Sequence, residues 1–82
     1  MSLEEEFTQN IELRVLLLAL FKKDDTETFK DILLVMENTG VFSKKNGKKY
    51  LKILKELKFI VDDQFTILGI EKAKEVEMEF KV

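Results

Sequence analysis

Between Ser43 and Lys58 the apolar and basic residues separate onto opposite sides of a helix. At about 100° per residue, Tyr50, Leu51, Leu54 and Leu57 share one face. Lys44, Lys45, Lys48, Lys52 and Lys55 share the opposite face, with Lys49 at its edge and Asn46 and Ile53 on the boundary. Ser43 stands where an N-cap belongs. Such a helix buries one side against other elements and leaves the other in water, so the chain must supply partners for it.

The same segment concentrates charge. Residues 44–58 carry seven lysines against Glu56, a net +6, while residues 1–43 carry −5 and residues 59–82 carry −3. The overall −2 therefore hides a basic segment between acidic flanks. That pattern points to a polyanionic partner.

The remaining composition sets the class. Eighty-two residues make one domain, spanning 1–82, with a single small core. Cysteine and histidine are both absent, which removes thiolate ligands, disulfides, the commonest transition-metal ligand and the commonest general base. The acidic clusters Glu4–Glu6, Asp24–Asp25 and Asp62–Asp63 fall at a helix start and at turns, where capping accounts for them. No glycine loop for phosphate and no nucleophile–base pair is present. The expectation is a non-enzymatic protein with no cofactor and no metal. The apolar run from Val15 to Phe21 is far shorter than the roughly 20 residues that span a bilayer. A cytoplasmic location without membrane association is expected.

Periodicity gives the order of elements. Leu3, Phe7, Ile11, Val15 and Leu18 form one helical stripe, which predicts a first helix from Leu3 or Thr8 to Lys22, with Ser2 and Glu5 at capping-box spacing. Its second half is apolar nearly all round, so it is either central or part of a dimer contact. Thr28 and Asp31 open a second helix whose apolar side is Phe29, Ile32, Leu33, Val35 and Met36. Gly40 closes it in the left-handed conformation. The lysine-bearing helix is third. Phe59–Val61 and Phe65–Leu68 are β-prone runs around an Asp62–Gln64 turn, a hairpin closed by Gly69. The tail from Ile70 has helical spacing at Ile70, Ala73, Val76 and Phe80. Over 76–82 it also alternates like a strand; the reading adopted is a helix ending at Glu77 or Phe80.

Three helices followed by a hairpin is the order of a winged helix-turn-helix domain, and the local sequence resembles that family over most of the chain. Residues 43–61 are similar to its recognition helix running into the first wing strand, with Leu51, Leu54 and the Phe59–Ile60 pair at its apolar anchor positions. Residues 65–73 resemble the second wing strand and its exit, with Thr66, Gly69 and Ala73 at the family's spacing. Three departures stand out. Gly47 replaces an apolar residue inside the recognition helix, Lys58 replaces a glycine before the wing, and the wing tip is acidic and short.

The resemblance implies a mainly α fold with a small β-hairpin wing and a C-terminal helical or strand segment. It implies a small transcription regulator that binds duplex DNA through residues 43–58, as a homodimer reading two half-sites. A lysine-bearing helix fits the major groove and releases counterions from phosphates. The candidate contacts are Ser43, Lys44, Lys45, Asn46, Lys48, Lys49, Lys52 and Lys55. Asn46 carries an amide able to pair with adenine, and Ser43 sits where free backbone N–H groups meet phosphate. Tyr50, on the apolar face, is read as a core-edge aromatic. The alternative is a winged helix that serves as a protein-interaction module and docks an acidic protein partner.

Overall fold

The computed structural model describes residues 2–81, and each of its helices begins where a short polar side chain caps it. Ser2 caps α1 (Leu3–Gln9), accepting from the Glu5 amide at 3.2 Å. Asn10 caps α2 (Ile11–Lys22), its Oδ1 accepting from the Glu12 and Leu13 amides at 3.0 and 3.3 Å. Thr28 and Asp31 form a reciprocal capping box at the start of α3 (Phe29–Asn38). Ser43 caps α4 (Lys44–Glu56). An antiparallel pair follows, β1 (Ile60–Val61) and β2 (Gln64–Phe65), and Thr66 caps α5 (Ile67–Phe80). The fold is mainly helical with one small two-stranded sheet.

Three sequence expectations change. The first helix is two helices, because the Asn10 side chain takes the amides that a continuous helix would pair with carbonyls of α1. Arg14 Nη1 reaches back to the carbonyls of Phe7 and Thr8 and satisfies the frayed end of α1. The hairpin loop is Asp62–Asp63 alone, and Gln64 pairs with Val61. Its second strand stops at Phe65, so Ile67 and Leu68 are helical and Gly69 lies inside α5 rather than at the hairpin's close. Thr66 decides this: its hydroxyl accepts from the Gly69 amide at 3.0 Å and donates to the Lys58 carbonyl at 2.6 Å. The third change is on α3, where Val35 is exposed rather than apolar-side core. The tail is helical to Phe80, not a strand; Val82, the last residue of the alternating run, lies outside the described residues.

Both α3 and α4 end in the same device. After α3, Gly40 takes φ +79°, its amide bonds to Glu37 O, and Val41 N–H bonds to Met36 O. After α4, Lys58 takes φ 65°, its amide bonds to Lys55 O, and Phe59 N–H bonds to Leu54 O. These are Schellman caps. The position before the hairpin, where the winged-helix resemblance implies a glycine, is left-handed and is occupied here by Lys58.

The core surrounds α2. Leu13, Leu16, Leu17 and Leu20 are essentially inaccessible to solvent, and α2 packs against α1, α3, α4 and α5. Of the two roles left open for this apolar helix, the central one is therefore met within the chain itself. Ala73 and Val76 of α5 join this core. Edge-to-face aromatic pairs tie the periphery in: Phe7 with Phe59 at 5.3 Å, and Phe65 with both Phe21 and Phe29. Lys22 pairs with Glu77 across α2 and α5 and holds that carboxyl below the usual range. No described helix is long and apolar enough to cross a membrane.

Candidate nucleic-acid interface

Helix α4 is oriented by what its buried side touches. Tyr50, Ile53 and Leu54 are buried, Leu51 and Leu57 are half-buried, and Gly47 is buried with them. Ile53, a boundary residue by periodicity, belongs to the core. Gly47 has a packing reason: a Cβ there would lie 2.7 Å from the Phe42 ring. That ring stands edge-on to Tyr50 at 5.6 Å. The close approach of Phe42 to the helix backbone offsets the roughly 1 kcal/mol that glycine costs in a helix.

The Tyr50 hydroxyl donates to Glu12 Oε1 at 2.8 Å and links α4 to the start of α2. Burial first, and then the Glu12 carboxylate, pushes the phenol above its ordinary value, while Asn10 acts in the opposite direction. Tyr50 therefore remains a protonated donor at neutral pH. Its place against the core agrees with the reading of a core-edge aromatic.

The opposite side of α4 is basic and open. Ser43, Lys44, Lys45, Asn46, Lys48, Lys49, Lys52 and Lys55 are all exposed. The Ser43 hydroxyl accepts from the Asn46 amide at 3.2 Å, while the Asn46 side chain makes no hydrogen bond among the described residues. Lys49 departs from the stripe, with its ammonium 3.7 Å from Glu6 on α1. Among the described residues, Lys44, Lys45, Lys48, Lys52 and Lys55 have no ion-pair partner.

The stripe is not uniform. At the far end of α4, Lys55 and Lys58 share a shallow groove with Val61, Asp62 and Asp63 of the hairpin tip. Acidic side chains thus stand beside the C-terminal end of the stripe. At the near end, Lys30 of α3 joins Lys44 and Lys48 around a groove of about 400 Å³. Periodicity within α4 gives no sign of Lys30, because its approach depends on how α3 crosses α4. No cluster of acidic side chains suited to a metal ion occurs among the described residues. Comparison with protein-family models, curated proteins and solved structures returns no match.

Proposed function

We propose that this chain is a winged helix-turn-helix domain that binds duplex DNA without catalysing a reaction. In this reading α3 and α4 form the helix-turn-helix, α4 is the recognition helix and β1–β2 is the wing. The observation that carries the reading is the exposed, locally unpaired stripe Lys44, Lys45, Lys48 and Lys52 on a helix whose other face is buried. Lysines so placed exchange condensed counterions for phosphate contacts and supply affinity without sequence information. Asn46, exposed in the first turn of α4, is the residue chemically suited to read a base.

The role that follows is a small transcription regulator working in the cytoplasm as a homodimer. Ile11, Met78 and Phe80 are exposed apolar residues of α2 and α5, outside the lysine-bearing helix, and offer surface for a second copy. A single mass equal to one chain, by light scattering at working concentration, removes the dimer.

The DNA reading is tested by titrating a labelled random duplex at several salt concentrations. Each phosphate contact contributes a slope of about −0.9 in log affinity against log salt, so four contacts give about −3.6. Changing Lys45, Lys48 and Lys52 together to Glu abolishes this binding. Absence of binding by the unmodified protein at low salt overturns the reading.

A further inference from the structure

The groove between α3 and α4 has a chemistry that duplex DNA does not match. Its floor is Leu33 and Leu34, and its rim carries Lys30, Lys44 and Lys48, with Glu37 the only acidic residue lining it. Leu34 is 54% exposed, and its neighbour Val35 is 53% exposed, although both sit on a helix with a well-formed buried side. None of the three rim lysines has an ion-pair partner among the described residues. Phosphates satisfy such lysines, but the apolar contact that DNA offers in the major groove is limited to thymine methyl groups. Leucines on a groove floor gain from an apolar side chain laid over them. The occupant that satisfies floor and rim together carries large apolar side chains on one side and carboxylates beside them.

We infer that the α3–α4 groove is a docking site for an acidic amphipathic segment of a protein partner, which seats apolar side chains on Leu33 and Leu34 and carboxylates on Lys30, Lys44 and Lys48. This is helix-in-groove recognition, in which anchors at one-turn spacing enter an apolar trough. The charge balance of the rim selects an acidic partner over a basic one. The docking itself does not rest on the DNA reading. One consequence rests on the DNA reading: Lys44 and Lys48 belong to both surfaces, so an occupied groove and bound DNA exclude each other. An acidic partner would then release the protein from its DNA.

The probe is a labelled synthetic helix of about sixteen residues, with leucines at one-turn spacing on one face and glutamates on its flanks. A control peptide of equal charge has serine in place of each leucine. Titrations are read by fluorescence anisotropy at about 0.15 M salt, where loose surface electrostatics are screened. The leucine peptide is expected to bind at least about tenfold more tightly than the serine peptide. Leu34→Ser, at an exposed position and checked for folding by circular dichroism, removes that difference. The double change Lys44→Glu with Lys48→Glu abolishes peptide binding. Equal binding of the two peptides, undiminished binding by Leu34→Ser, or no binding at all overturns the site. A dimer that Leu34→Ser converts to single chains also overturns it, since the occupant is then a second copy. Unlabelled leucine peptide displaces labelled duplex from the unmodified protein but not from Leu34→Ser. Peptide binding that depends on Leu34, in a protein that binds no duplex, upholds the docking site and removes only the competition and the DNA reading.

Discussion

Tyr50 donates a 2.8 Å hydrogen bond to the carboxylate of Glu12, fastening the middle of the lysine-bearing helix to the first turn of the central one. A phenol–carboxylate bond of this kind is charge-assisted and directional. It adds a polar tether to the apolar packing that orients α4.

Tyr50→Phe keeps the ring against Phe42 and removes only the hydroxyl. It lowers stability by about 1–2 kcal/mol in urea unfolding at neutral pH. The pH dependence has a fixed sign. The folded-state pKa of Tyr50 is raised above the ordinary 10.0. Its contribution is therefore complete below the unfolded value and is lost as pH rises through the folded value. The unmodified protein loses stability more steeply than Tyr50→Phe above about pH 10.

Gly69 lies flat against the backbone of Phe59: a Cβ would fall 2.0 Å from the Phe59 carbonyl oxygen. Backbone cannot yield as a side-chain tip does. Alanine ordinarily improves a helix by about 1 kcal/mol over glycine. Here Gly69→Ala is expected to destabilise by more than about 2 kcal/mol, by forcing α5 away from the base of the hairpin. A midpoint in urea equal to or above that of the unmodified protein would show that this contact does not constrain α5.

The hairpin turn places Asp62 and Asp63 at φ 51° and 60°, with pairing from Val61 to Gln64. Two left-handed residues in a two-residue loop favour Asn-Gly. Replacing the pair by Asn-Gly relieves strain and removes two negative charges beside Lys55 and Lys58. Thermal stability rises by the equivalent of about 0.5–1 kcal/mol. Affinity for random duplex at low salt rises as well; unchanged affinity would mean that the tip stays clear of the bound nucleic acid.

Asn10→Ala removes the acceptor that starts α2 and costs about 1 kcal/mol, measured by chemical unfolding. Asn10→Ser retains an oxygen there and recovers most of the loss. If both variants match the unmodified protein, the interruption between α1 and α2 depends on packing rather than on this cap.

Local chemistry made much of this fold legible. Ser2, Thr28 and Ser43 cap the helices their spacing indicates, and Gly40 ends α3 as expected. The two faces of α4 follow directly from periodicity, because its residues differ sharply in polarity. The break at Asn10 is hidden in the sequence because the stripe through Phe7, Ile11 and Val15 runs across it unbroken, and one side-chain oxygen outweighs that stripe. Ile67 and Leu68 are β-prone, but Thr66 closes the strand and starts a helix, a contest between propensity and capping that alternation alone does not decide. The basic stripe was readable from its lysines, whereas Lys30 and the leucine-floored groove were not. Those features arise from the way two successive helices cross, which the pattern within each helix does not give, and Leu34 and Val35 are as apolar as any core residue.

The central place of α2 has a consequence for the order in which the chain is made. Leu13, Leu16, Leu17 and Leu20 are synthesised before Ala73 and Val76, which complete their enclosure. Phe7 likewise waits for Phe59. Until residues of α5 appear, the nascent chain displays a leucine-rich helix without its cover, a surface of the kind that recruits chaperones or associates with its own kind. Ribosome-bound chains whose α5 is unmade or still inside the exit tunnel should therefore be captured by holdases and cut readily by protease, while released chains should resist both.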